Sequence, residues 1–144
     1  MKKIFLMMIG MSLLMYADFS RNNSGIVDDS TTGLAWQDEY TDNGGKIKRA
    51  TWQDAIIYCH ELSLGGKNDW RLPNIRELKS IVDTTKSRPA MNSIFTNVGS
   101  TDFWSATTSM SDANNAWVVG FYRGLDYWAS KTLKDYVRCV RGGV

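Results

Sequence analysis

The residue types that most readily suggest covalent, redox or metal chemistry are few: Cys59, Cys139 and a single histidine, His60. A redox pair normally shows Cys-x-x-Cys spacing, and these cysteines stand far apart in the chain. A metal centre would need more Cys or His ligands, and His60 adjoins Cys59, so the two leave a helix in different directions. A nucleophile needs an activating base beside it, and nothing orients His60 toward one. The sequence shows no phosphate-binding glycine loop and no carboxylate pair marked by its spacing. No catalytic residue, metal or cofactor is therefore expected, and the chain does not read as an enzyme. Two cysteines allow one intramolecular pairing, and a Cys59–Cys139 disulfide is the expected use of both. Closing so long a loop stabilises a fold by about 4 kcal/mol on the chain-entropy model.

A disulfide requires an oxidising compartment. Met1-Lys2-Lys3 followed by the apolar run Ile4–Ala17 reads as a signal peptide over residues 1–17, with a retained membrane anchor as the alternative. The chain is then expected to be exported to the periplasm, the cell surface or the medium. Removing residues 1–17 takes away Lys2 and Lys3 from 17 basic residues and leaves 15 against 15 acidic ones. A neutral domain has no broad field for nucleic acid, and after cleavage no membrane partner is expected. Lys46-Ile47-Lys48-Arg49 is a local basic run, ordinarily a solvated loop.

The binding candidates are polar and aromatic. Arg71 in Trp70-Arg71-Leu72-Pro73, with Glu77 following, offers a guanidinium fork. The clear backbone roles of Pro73 and Asn74 make this a structural motif, together with Trp36 and Trp70. Asp112, Asn114 and Asn115 carry oxygens that suit calcium, but three polar residues before a strand are ordinarily turn chemistry. Trp104, Tyr122, Arg123, Asp126 and Trp128 are the candidates for a stacking surface. In the strand from Ala116, Trp117, Val119 and Phe121 share one face, and Val118 and Tyr122 the other. Tyr127 and Trp128 point opposite ways, so one of them is expected in the core. The alternative is a sheet buried on both faces.

These side chains need a frame. Residues 18–24 read as a polar lead-in and 25–144 as one domain. Ile26-Val27 and Leu34–Gln37 read as strands about a turn. Thr51 caps a helix whose apolar face is Trp52, Ala55, Ile56, Cys59 and Leu62, so that Cys59 points inward. Gly65-Gly66 is expected to end it. Asn74, with Glu77 in a capping box, starts a short second helix with Ile75, Leu78, Ile81 and Val82 buried. Residues 83–102 form a long irregular loop, a pattern that often carries function. Strands follow at 103–108, 116–122, 125–130 and 136–141, with a tight turn at Arg123-Gly124. Helices and strands are segregated, which signals α+β: two helices packed on a small antiparallel sheet.

Three blocks together resemble a known family. They are Thr32-Gly33-Leu34-Ala35-Trp36-Gln37, then Asp69-Trp70-Arg71-Leu72-Pro73-Asn74-Ile75-Arg76-Glu77-Leu78, and finally Phe103-Trp104-Ser105-Ala106-Thr107-Thr108 with Tyr136-Val137-Arg138-Cys139-Val140-Arg141-Gly142. The family is named after the C-terminal domain of the Legionella collagen-like adhesin, and the likeness spans about residues 25–143. It implies a C-type-lectin-like fold in which Cys59 and Cys139 form the helix-to-last-strand disulfide. The named adhesin domain binds sulfated polysaccharides behind a collagen-like stalk. This chain has no Gly-x-y repeat, so stalk, trimer and ligand do not follow from the likeness. The Glu-Pro-Asn and Gln-Pro-Asp tripeptides of calcium-dependent lectins are absent. A similar Arg-Leu-Pro segment occurs in formylglycine-generating enzymes, but their closely placed cysteine pair is missing here.

The expectation is an exported, non-catalytic binding module. It presents residues 84–102 and 109–115, with Tyr122, Arg123, Asp126 and Trp128, to a glycan or a protein. The alternatives are a structural subunit of an envelope or pilus-like assembly and, least supported, an enzyme. No oligomeric state follows from the sequence.

Overall fold

The computed structural model describes residues 18–143. The expected signal peptide lies outside the described residues. Among these residues nine strands form two small sheets, with two α-helices packed against them. The first sheet runs β1 (Phe19–Arg21), β2 (Ile26–Asp29), β3 (Leu34–Gln37), β9 (Val140–Gly142), all antiparallel. The second runs β4 (Arg49–Ala50), β8 (Asp135–Tyr136), β5 (Asp102–Thr108), β6 (Asn115–Gly120), β7 (Leu125–Ser130). Its pairings are antiparallel except for one parallel bridge between Phe103 and Tyr136.

Both helix starts follow from their caps. Thr51 accepts a hydrogen bond from Asp54 N–H and opens α1 (Trp52–Glu61), which buries Ala55 and Cys59. Asn74 and Glu77 form a reciprocal capping box at α2 (Ile75–Lys79), which buries Leu78. One core cluster joins the inner face of α1 to Trp70, Trp104, Ala116, Val118 and Val137. A second joins Leu78 and Ile81 to Trp36, Phe103, Val119 and Phe121. Cys59 and Cys139 are disulfide-bonded, with Cα atoms 5.4 Å apart, and both are fully buried.

Four details differ from expectation. The single last strand over 136–141 divides into β8 and β9, one in each sheet, because the chain crosses between them at Val137-Arg138-Cys139. One small sheet accordingly becomes two. Cys139 lies in the crossing immediately before β9, where its N–H donates to Gln37 Oε1 at 3.2 Å and its carbonyl accepts from Gln37 N–H. Second, α1 stops at Glu61, with Leu62 already extended. Gly65 and Gly66, both at positive φ, form the two-residue turn of a Leu64–Lys67 bridge instead. Third, the lead-in at 18–24 contains β1. Two of its three residues are exposed, so it shows no alternation, and Phe19 holds it by packing edge-on against Phe95.

Fourth, the loop between α2 and β5 is anchored along much of its length. Ala90, Met91 and Phe95 are buried. Ala90 N–H donates to Phe121 O, and Asn92 N–H to Ile81 O. Asp38, fully buried, accepts from the N–H groups of Thr96 and Asn97 at 2.8 and 3.0 Å and from Arg138 at 3.0 Å. Arg138 is equally buried. It donates to Gln37 O at 2.6 Å and to Asn97 O, with its guanidinium 4.5 Å from the Phe95 ring centroid. Burial alone would raise the Asp38 pKa, but the Arg138 charge, the Thr96 hydrogen bond and Arg21 hold it below the usual carboxylate range.

Candidate functional site

The site is set by strand alternation and by one glycine. On β7, Leu125, Tyr127 and Ala129 oppose Gly120, Val118 and Ala116 of β6. Gly120 in turn opposes Asp102 of β5. With no side chain at position 120, the Tyr127 ring lies across β6, and its hydroxyl donates a hydrogen bond to Asp102 Oδ1. A Cβ at Gly120 would come within 3.0 Å of Asp102 Oδ1 and 3.1 Å of the ring. Tyr127 is thus pinned as a flat plate on the sheet, and 44% of it stays exposed. Burial and the Asp102 hydrogen bond raise its hydroxyl pKa, so it remains a proton donor.

The β6–β7 turn places a second ring beside the first. Gly124, at φ 75°, packs where a Cβ would strike Val82 at 2.5 Å, which fastens the turn to the loop after α2. Tyr122 is 43% exposed. The Arg88 and Arg123 guanidiniums lie 4.7 and 5.9 Å from its ring centroid. Arg88 has a positive φ of 56°, held where its N–H donates to Tyr122 O. Asp102, Gly120, Tyr122, Arg123, Leu125 and Tyr127 line a concavity of about 190 Å³. Behind it, burial and then the Asp102 charge push the Asp135 carboxyl up to about 6, and Asp135 Oδ2 is buried without a hydrogen-bond partner. The concavity offers the exposed parts of two tyrosine rings, a carboxylate acceptor and the Arg123 guanidinium as donor, which suits a polyhydroxylated ring.

The expected site residues do not converge. Tyr122 and Arg123 line the concavity. Asp126 and Trp128 lie on the opposite face of β7, where Asp126 pairs with Lys79 at 3.1 Å and Trp128 opposes Trp117. Neither Tyr127 nor Trp128 enters the core, because β7 is an edge strand with no layer over these residues; β6 beside it is the strand buried on both faces. Trp104 is a correction: it is fully buried, and its indole N–H donates to Ala50 O at 2.9 Å, so it offers no face to a ligand. Asn114 and Asn115 sit at the far end of the hairpin, about 17 Å away at strand rise. There Asn114 N–H and Asn115 Nδ2 donate to the Asp112 carboxylate, which is turn chemistry. Among the described residues no cluster of three or more His, Cys, Asp or Glu could hold a metal ion.

The motif around Arg71 joins two elements through hydrogen bonds. Its guanidinium donates twice to the Glu77 carboxylate, at 2.7 Å each, and to Gly142 O at 2.9 Å, which ties α2 to β9. Glu77, though burial opposes it, is held ionised by Arg71 and by the Asn74 N–H. Trp36 and Trp70 are buried, and Pro73 O accepts from Ala106 N–H at 2.7 Å. The basic run lines two larger hollows, of about 420 and 380 Å³, that share Arg49. Two of its cations have partners: Arg49 donates to Lys134 O and lies over Tyr136, and Lys48 lies over Tyr58. From the sequence, Trp128 rather than Tyr127 is the stacking candidate of this pair. A glycine inside a strand, diagonal to a tyrosine on the next, was the available signal.

The model of the Lcl C-terminal domain family matches residues 25–141. The chain belongs to the Lcl C-terminal domain family. The match spans nearly every element described, from β2 to β9, and includes both cysteines and the Arg71–Glu77 pair. No curated protein matches the chain. The disulfide of this Lcl C-terminal domain fits an exported protein, and no described helix is long and apolar enough to cross a membrane.

Proposed function

We propose that this Lcl C-terminal domain is an exported, non-catalytic, adhesin-like binding module that recognises a glycan at the cell envelope or surface. A C-type-lectin-like frame is part of the proposal, supported by the cross-link between α1 and the start of the last strand. The observation that carries the reading is the Tyr127 plate, held over Gly120 by Asp102 beside the Tyr122 ring. Aromatic faces take up the apolar side of a sugar ring with little loss of conformational entropy, because both rings are already fixed. Asp102 accepts from sugar hydroxyls, and Arg123 donates. Each stacking ring is expected to contribute about 1 kcal/mol.

A glycan array probed with the purified protein tests the proposal. Binding to a defined set of glycans, weakened about fivefold in each of Tyr127→Ala and Tyr122→Ala, is expected. An array without hits, or hits unchanged in both variants, would count against it.

A further inference from the structure

Among the described residues β7 ends the five-stranded sheet and pairs only with β6. Lys131 N–H donates to Asn114 O just beyond it, which sets the phase of the ladder. Leu125, Tyr127 and Ala129 bond to β6, and Asp126 and Trp128 turn their N–H and C=O groups outward. Natural edges are blunted by lysine, proline, bulges or a covering segment. β7 has none of these. It keeps register with β6 over six consecutive residues, and its one charge, Asp126, is paired with Lys79. Leu125 and Trp128 are 61% and 54% exposed.

We propose that β7 pairs antiparallel with β7 of a second copy of this chain, about a two-fold axis at Trp128, joining two five-stranded sheets into one of ten. A two-fold axis normal to the sheet keeps each face on its own side, so it centres on a single residue. Centred on Asp126, it sets that carboxylate against itself. Centred on Tyr127, it sets Arg123 against Lys131. Centred on Trp128, it opposes no like charges: Asp126 meets Ser130, Tyr127 meets Ala129 and Leu125 meets Lys131. The outward groups of Trp128 then bond reciprocally across the axis.

A second copy fits for two further reasons. Residues 18–144 carry 15 basic and 15 acidic side chains, so no net charge holds copies apart. The exposed parts of Leu125, Tyr127 and Trp128 leave on the order of 300 Å² of apolar surface per copy. Edge pairing covers only the flanks of these side chains, so the buried total stays below about 600 Å² and below that of a stable complex; the pair is weak and forms at high local concentration, as on a crowded surface. Edge pairing leaves both faces of β7 open, and the two-fold axis places both Tyr127 plates on the same side of the joined sheet. The pairing does not depend on the glycan reading.

Sedimentation velocity on the purified full chain, from about 10 μM to about 1 mM, spans the range in which so small an interface is populated. A reversible monomer–dimer equilibrium is expected, with Trp128→Lys weakening it at least about tenfold and circular dichroism unchanged. Mild oxidation of Trp128→Cys is expected to yield a covalent dimer, because reciprocally bonded residues lie within disulfide reach, whereas Asp126→Cys does not cross-link to itself. A monomer at every concentration, a dimer indifferent to Trp128→Lys, or equal cross-linking by Asp126→Cys would overturn the proposal.

Discussion

Replacing Arg138 by methionine should unfasten the long loop from the core. Arg138 is fully buried and pairs with a fully buried Asp38 at 3.0 Å, while also donating to the carbonyls of Gln37 and Asn97. Methionine fills similar volume but leaves Asp38 with one flanking cation, Arg21, whose side chain is 28% exposed. Breaking a buried pair from one side costs about 3–5 kcal/mol. Against a typical domain stability of roughly 5–15 kcal/mol, that lowers Tm by on the order of 10–20 °C. Thermal unfolding with the disulfide intact measures it, and hydrogen exchange should show the N–H groups of Thr96 and Asn97 deprotected first. The pH dependence has a definite sign. The Asp38 pKa is lower in the folded than in the unfolded chain, so its contribution is present above the unfolded value and lost as pH falls through the folded one. Arg138→Met should flatten that acid limb. A loss under about 1 kcal/mol, the size of an exposed pair, would refute the reasoning.

Three further outcomes follow from other parts of the molecule. Replacing both cysteines by alanine should cost about 4 kcal/mol, read from urea unfolding, because the bond closes a separation of 80 residues; an unchanged midpoint would contradict this. Asp135 carries a folded pKa of about 6 against an unfolded 3.8, so the folded state binds its proton more tightly. Stability should therefore fall as pH rises from about 4 to about 6, the opposite sign to Asp38, and Asp135→Asn should abolish that slope. Gly120→Ala should tilt the Tyr127 ring off Asp102 and weaken glycan binding about fivefold, while the overpacking costs only about 1–3 kcal/mol of stability.

Much of the frame was legible because its signals are local. Thr51, Asn74 and Glu77 announce helix starts through side chains that reach only three residues, and both caps form as read. Two cysteines left one pairing. The α+β order followed from the change of period at Phe103. What escaped depends on distant neighbours. Asp38 and Arg138 look like surface charges in the chain, yet they meet across 100 residues in the core. Tyr136–Arg141 reads as one strand, and only the presence of two sheets divides it. Trp104 and Trp128 have the same residue type in similar strands; the first sits in β5 between two neighbours, the second on an open edge. Burial there is decided by strand order, which alternation does not encode.

The most direct measurement is an aromatic and backbone NMR titration of the purified protein with the strongest glycan from the array. Shifts concentrated at Tyr122, Arg123, Leu125 and Tyr127, saturating together, are expected. Shifts confined to the hollow of Lys46, Arg49 and Asn97, with the Tyr127 ring unmoved, would contradict the assignment of the site.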